Sequence, residues 1–252
     1  MYVRITRAAG LALVVSSLVT TTAFAALSTG EQKRLNDSAS VVTALRNAEN
    51  GISEDLWQKA ACVIVVPDLK KAAFIVGGEY GKGVMSCRTA NGWSSPVFME
   101  LEKGSVGFQA GATAIDLVLL VMNKDAADKM LNSKVSLGAD ASVAAGPVGR
   151  AASASTSENL AQVLSYSRSK GVFAGINLSG GSLRVDKDSN ADAYGSSVAL
   201  DTVINGSGQT LTGASGFLNT LGASPRGTTP RATTGTRTPA TTDKPRADKP
   251  KY

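Results

Sequence analysis

Histidine is absent from all 252 residues. That removes His-based triads, His general bases and the common His-containing metal sites. Cysteine occurs twice, at Cys62 and Cys87, too sparsely for a zinc ribbon. Aromatic residues make up 5% of the chain, so Ala, Val, Leu and Gly must build any core. Long apolar runs are also lacking: Ala8–Val19 falls short of the roughly 20 residues that span a bilayer as a helix.

That short run has a different reading. Arg4 and Arg7 precede it and Ala23-Phe24-Ala25 follows it, the pattern of a secretory signal cleaved after Ala25. An uncleaved anchor helix is the alternative. The chain then divides into a signal peptide (1–25), one folded domain (26–221) and a basic, Thr/Pro-rich tail (222–252). The tail shows no periodicity and too little apolar surface to fold. The net charge of +6 is unevenly spread: the signal carries +2 and the tail +5, which leaves −1 on the domain. A nucleic-acid binder carries its basic footprint on the folded domain, so no nucleic-acid partner is expected.

An exported chain meets an oxidising compartment, which favours a Cys62–Cys87 bond over two buried free thiols. The bond would close a loop of about 25 residues and contribute about 3.5 kcal/mol in the chain-entropy model. Ser28 and Glu31 fit a capping box opening a helix from Thr29 to about Asn50, whose stripe includes Leu35, Val42 and Leu45. Its narrow stripe suits packing on a sheet better than lying on a membrane. A second, short helix is expected after Ser53. Cys62–Val66 reads as a buried strand stopped by Pro67, and Gly77–Gly83 as the turn of a hairpin. Trp93–Leu101 reads as a strand with an edge or bulge at Pro96. Ile115–Met122 reads as a buried strand, Asn123 as the cap of a short helix, and Ala214–Leu221 as a terminal helix.

The Gly/Ala/Ser-rich stretch Val135–Gly146 alternates with a period of two, which predicts one long strand. Its small residues imply either close approach to the backbone or a hard bend. Three lures are rejected. Ser167-Arg-Ser-Lys170 spells S-x-x-K but lacks the partner motifs of penicillin-interacting enzymes. Gly77-Gly-Glu-Tyr-Gly-Lys-Gly83 lacks phosphate-loop spacing. Asp186, Asp188 and Asp192 lack the Gly and Glu of a calcium loop and read as a solvated acidic loop, so no metal is expected.

Five ordered motifs carry a resemblance. They are Val66-Pro67-Asp68 with Lys70-Lys71, Gly77-Gly-Glu-Tyr-Gly-Lys-Gly-Val84, Gly107-Phe-Gln-Ala-Gly111, Leu137-Gly-Ala-Asp-Ala-Ser142 and Gly171-Val-Phe-Ala-Gly-Ile-Asn-Leu178. Together they resemble the SYLF domain, over about residues 31–221. The small exported bacterial branch is the nearer one, on Cys62, Cys87-Arg88, Trp93-Ser-Ser-Pro96, Ala145-Gly-Pro-Val-Gly-Arg150 and Tyr166-Ser-Arg168. The resemblance implies a mainly β (α+β) domain: a strongly curved antiparallel sheet, or a barrel-like one, with flanking N- and C-terminal helices. It also implies binding of phosphoinositide-like or other anionic phospholipid head groups, with no enzymatic activity and no cofactor. The actin role of eukaryotic members lies partly in appended segments, so actin is not an expected partner.

An anionic head group calls for Lys and Arg. The candidates are Lys70, Lys71, Lys82, Arg88, Arg150, Arg168 and Lys170, although each alone fits an ordinary surface charge. Arg150 and Arg168 also suit pairing with Asp140 or Asp116. The expected protein is peripheral to a membrane in the periplasm or cell envelope. The competing expectation is a structural or interaction protein of the envelope that acts through its basic tail.

Overall fold

The computed structural model describes residues 27–49, 51–73, 76–106, 111–149 and 161–222. Residues 1–26, where a signal peptide is expected, Arg150, residues 151–160 and residues 223–252 lie outside the described residues.

Helix α1 (Thr29–Asn47) opens with the expected capping box: the Ser28 hydroxyl accepts from the Glu31 N–H, and the Glu31 carboxylate accepts from the Ser28 N–H. It ends at Asn47, a turn before the predicted Asn50. Leu35, Val41, Val42 and Leu45 are buried, so the stripe packs inward. Helix α2 (Glu54–Lys59) is capped by the Ser53 hydroxyl.

Ten strands among the described residues form one curled, mixed sheet. They are β1 (Cys62–Ala73), β2 (Val76–Thr89), β3 (Gly92–Trp93), β4 (Val97–Val106), β5 (Gly111–Val121), β6 (Val135–Ser136), β7 (Val143–Ala145), β8 (Val163–Ser169), β9 (Val172–Gly175) and β10 (Gly181–Val185). The order is β6-β10-β4-β2-β1-β5-β8-β7, with β3 on β2 and β9 on β8. Pairing is antiparallel except for β7–β8, which is parallel. Helices α3 (Lys124–Asn132), α4 (Lys187–Tyr194), α5 (Leu200–Ile204) and α6 (Ser215–Leu221) complete the domain. Asn123 caps α3 as expected. Cys62–Val66 is fully buried, as a continuous apolar run covered on both faces requires. Cys62 and Cys87 are register partners on β1 and β2 and form the expected disulfide, with Cα atoms 3.9 Å apart.

Five sequence expectations are corrected. First, Val135–Gly146 is not one strand. Gly138 turns the chain at φ 94°, the Asp140 carboxylate accepts from the Ser136 N–H, and the Gly138 N–H bonds back to Ala141. A local side-chain bond has displaced the ladder. Second, Pro67 does not stop β1. The strand passes through it with a bulge between Val65 and Lys70, and Asp68 sits there at φ 54°. A bulge accommodates a residue without an N–H.

Third, Gly77–Gly83 is strand, not turn: β2 contains it, and the β1–β2 connection falls at residues 74–75, outside the described residues. The glycines serve the bulge. A Cβ at Gly81 would lie 2.6 Å from Val66 Cγ1, and one at Gly83 would lie 2.4 Å from the Val65 carbonyl oxygen. Fourth, Asp186 is not in a solvated loop; it is buried at the N-cap of α4. Trp93–Leu101 is likewise interrupted, with Pro96 in the gap between β3 and β4.

The small residues around Tyr166 have a packing reason. A Cβ at Gly146 would meet the Tyr166 ring at 2.0 Å, and one at Gly175 would meet the Gly146 carbonyl oxygen at 2.2 Å. What approaches this backbone is the protein's own buried tyrosine.

Candidate functional site

The bulge in β1 faces the first turns of α1, and between them lies a cleft of about 370 Å³. Helix α1 contributes Gly30, Lys33, Arg34 and Asp37; β1 contributes Pro67, Asp68 and Lys70; β2 contributes Tyr80, Gly81 and Lys82. The α1 residues fall at i, i+3, i+4 and i+7, one face of a helix. The bare Gly81 backbone lets β2 close against Leu69.

The floor of the cleft is an ion network. Asp186, with 2% of its side chain exposed, accepts from Arg34 Nη1 at 3.0 Å and Lys82 Nζ at 2.9 Å. It also accepts from the N–H and hydroxyl of Ser189, while Arg34 Nη2 donates to that hydroxyl. Burial pushes the Asp186 carboxyl up, but the hydrogen bonds from Lys82, Ser189 and Arg34 outweigh it and hold the carboxyl below its ordinary value. For Lys82, burial works against the ammonium, and the Asp186 carboxylate more than compensates and raises it. Arg34 is 11% exposed and also lies 5.1 Å above the Phe98 ring. Lys82 is 39% exposed and has Glu100 3.6 Å away.

The remaining charges are accessible. Lys33 pairs with Asp37 one turn along α1, and that carboxylate raises the Lys33 ammonium. Lys70 is exposed and makes no ion pair among the described residues. Tyr80 is 43% exposed and donates to Glu100. The cleft therefore offers free or exchangeable ammonium groups above a buried charge that is already balanced.

The sequence candidates are dispersed. Lys70 and Lys82 meet in the cleft. Lys71 is paired in strand register with Glu79, and its side chain lies outside the described residues, as does Arg150. Arg88 serves α2: Nε donates to the Ala60 carbonyl and Nη2 to that of Trp57, and the guanidinium stacks 4.3 Å from the Trp93 ring centre. A cation at a helix C-terminus is stabilised there. Burial lowers its guanidinium from the ordinary value. Arg168 pairs with Asp116 across β5 and β8, the partner foreseen as an alternative. Lys170 is exposed in the β8–β9 turn at φ 49°.

Lys33 and Arg34 were missed by sequence reasoning. Their helical spacing with Gly30 and Asp37 was available, but the apolar stripe alone was read. Among the described residues, no group of three His, Cys, Asp or Glu is placed to hold a metal ion. No described helix is long and apolar enough to cross a membrane.

Residues 102–224 match the family model Ysc84, described as "Las17-binding protein actin regulator". Among curated proteins, LAS seventeen-binding protein 3 of Saccharomyces cerevisiae is 30% identical over 164 residues, 63% of this chain and 36% of that protein. Protein YSC84 of the same yeast is 29% identical over 153 residues, 59% and 33% of the two chains. SH3 domain-containing YSC84-like protein 1 of Pongo abelii is 34% identical over 128 residues, 49% and 37%. The chain thus spans about a third of the length of these relatives.

Proposed function

The chain belongs to the SYLF family, the family of the Ysc84 model, and on that premise we propose that it is an exported, non-enzymatic lipid-binding protein. It holds anionic phospholipid head groups in the cleft between α1 and the β1 bulge, at the surface of a membrane in the cell envelope. The observation that carries this reading is the convergence of Lys33, Lys70 and Lys82 on one cleft of head-group size, with Arg34 beneath them. The domain is close to neutral, so attraction comes from this local cluster and weakens with salt. Actin regulation, which the family description states, is not carried over to a chain that spans about a third of its relatives.

Vesicle flotation tests the reading. Lys33→Glu with Lys70→Glu reverses two accessible charges and leaves the Asp186 network untouched. The double variant is expected to lose flotation on acidic vesicles while keeping the wild-type melting temperature. Truncation after Gly222 removes the +5 tail and retains every described element. Flotation that survives the double substitution, or that vanishes wholly with the tail, overturns the cleft as the lipid site. The second result favours the tail-based alternative.

A further inference from the structure

A second opening lies outside the cleft, where the end of β10, α4 and the loop into α5 meet. Its volume is about 310 Å³. Val185, Ala191, Val198 and Leu200 form an apolar floor, each only half-buried. Lys187 and Asp188 stand at the rim, exposed, and their side chains make no hydrogen bond or ion pair among the described residues. Consecutive residues of a helix do not face each other, so these two charges stay apart. Asp192, one turn beyond Asp188 on α4, is likewise exposed and uncommitted. The wall behind them is fixed. Asn190 donates from Nδ2 to the Phe98 and Asp186 carbonyls and accepts from the Phe98 N–H. These bonds hold α4 on β4, so the opening keeps its shape.

A complementary occupant brings an apolar group for the floor, an anion for Lys187 and cations for Asp188 and Asp192. The sequence beyond Gly222 contains that combination twice, as Asp243-Lys244-Pro245-Arg246 and Asp248-Lys249-Pro250-Lys251. Each unit carries one acid and two bases, net +1, against net −1 for Lys187, Asp188 and Asp192. Proline offers its ring to the floor, and its fixed φ favours an extended unit at low entropic cost. About 21 residues separate Gly222 from Asp243, which as a coil cover about 25 Å. The radius of gyration of a domain this size is about 16 Å. The repeats are therefore within reach of the opening on their own chain.

We infer that the opening beside α4 is a docking site for the chain's own Asp-Lys-Pro repeats. Lys187 takes the acid of a repeat, Asp188 and Asp192 take its bases, and the proline rests on Val185, Val198 and Leu200. Two equivalent units, tethered at millimolar effective concentration, compete for one site and raise its occupancy. Docking neutralises part of the tail's charge and so restrains its adsorption to other anionic surfaces. It does not depend on the lipid cleft.

Limited digestion with an arginine-specific protease tests this. The Arg246–Ala247 bond lies inside the first repeat and the Arg231–Ala232 bond outside both, so two bonds of the same kind report docked and undocked chain. Cleavage follows the population of the open form. Lys187→Glu with Asp188→Lys inverts the rim at unchanged net charge. Measured against Arg231–Ala232, cleavage at Arg246–Ala247 is expected to be about two- to tenfold faster in this variant than in wild type. Inverting the repeats as well, with Asp243→Lys, Lys244→Asp, Asp248→Lys and Lys249→Asp, is expected to restore protection. A domain that had merely misfolded would not be rescued in that way.

Equal cleavage ratios in wild type and the rim variant overturn the inference, as does failure of the inverted repeats to restore protection. Protection that grows with protein concentration places the repeats on a second copy and overturns docking within the chain. Protection that is independent of concentration, lost with the rim and restored by the repeats supports it. No vesicles are present, so the result stands apart from the head-group reading.

Discussion

Asp186→Asn isolates the charge beneath the cleft. Asn keeps the volume, and it keeps an N-cap oxygen for the Ser189 N–H, so α4 retains its cap. What is lost is the negative charge between Arg34 and Lys82. Breaking a buried pair from one side costs about 3–5 kcal/mol, because the surviving charge is left uncompensated. Arg34, at 11% exposure, meets that condition; Lys82, at 39%, does so only in part and retains Glu100 3.6 Å away. The lower end applies, a loss of about 3 kcal/mol, which is a large share of the stability of a single domain. Urea unfolding with the disulfide intact measures it as a lower midpoint at unchanged slope.

The pH dependence gives a second arm. The folded Asp186 carboxyl lies below its ordinary value of 3.8, so its contribution is complete above that value and is lost as pH falls through the lower, folded one. The gap between wild type and variant is therefore expected to be full at neutral pH and to close in acid. The variant also frees Lys82 and Arg34 from their internal counter-ion, so flotation on acidic vesicles per folded molecule is expected to rise. A neutral-pH loss below about 1 kcal/mol, within the range of an exposed pair, refutes the reasoning, as does a gap that persists unchanged in acid.

Two further substitutions separate structure from site. Arg88→Met keeps the stem over Trp93 but leaves the Trp57 and Ala60 carbonyls without their donor, so a loss of about 2–3 kcal/mol is expected. Vesicle flotation of folded Arg88→Met should match wild type, and a binding loss at unchanged stability would return Arg88 to the lipid site. Gly175→Ala places a methyl 2.2 Å from the Gly146 carbonyl oxygen, so calorimetry should show a lower melting temperature from overpacking of about 1–3 kcal/mol. An unchanged melting temperature there would mean that the contact between Gly146 and Gly175 yields freely.

Features set by near neighbours were legible. Ser28 with Glu31, Ser53 before α2, and Asn123 before α3 each satisfy orphan N–H groups within one turn, and all three caps are present. The buried run Cys62–Val66 and the terminal helix declared themselves by composition and period. Misreadings arose where a period was imitated. Alternation through Val135–Gly146 came from small residues that carry little burial information, and a local bond from the Ser136 N–H to the Asp140 carboxylate was enough to break the strand. The glycines of β2 looked like a turn because their actual cause, the bulge opposite, is set by register with β1.

By itself the sequence determined the family, the mainly β class with its flanking helices, the capped helices and the cysteine pair. Those follow from motifs, local hydrogen bonding and the polarity of short segments. The cleft was decided by tertiary structure alone. Arg34 and Asp186 are 152 residues apart, Lys82 and Asp186 are 104 apart, and Asp68 and Asp116 are 48 apart. Whether a lysine is a solvated charge, a buried counter-ion or an open contact depends on which distant carboxylate folding brings beside it. The five described candidate cations, Lys70, Lys82, Arg88, Arg168 and Lys170, therefore separated into different roles only when the sheet curled and α1 docked across the bulge.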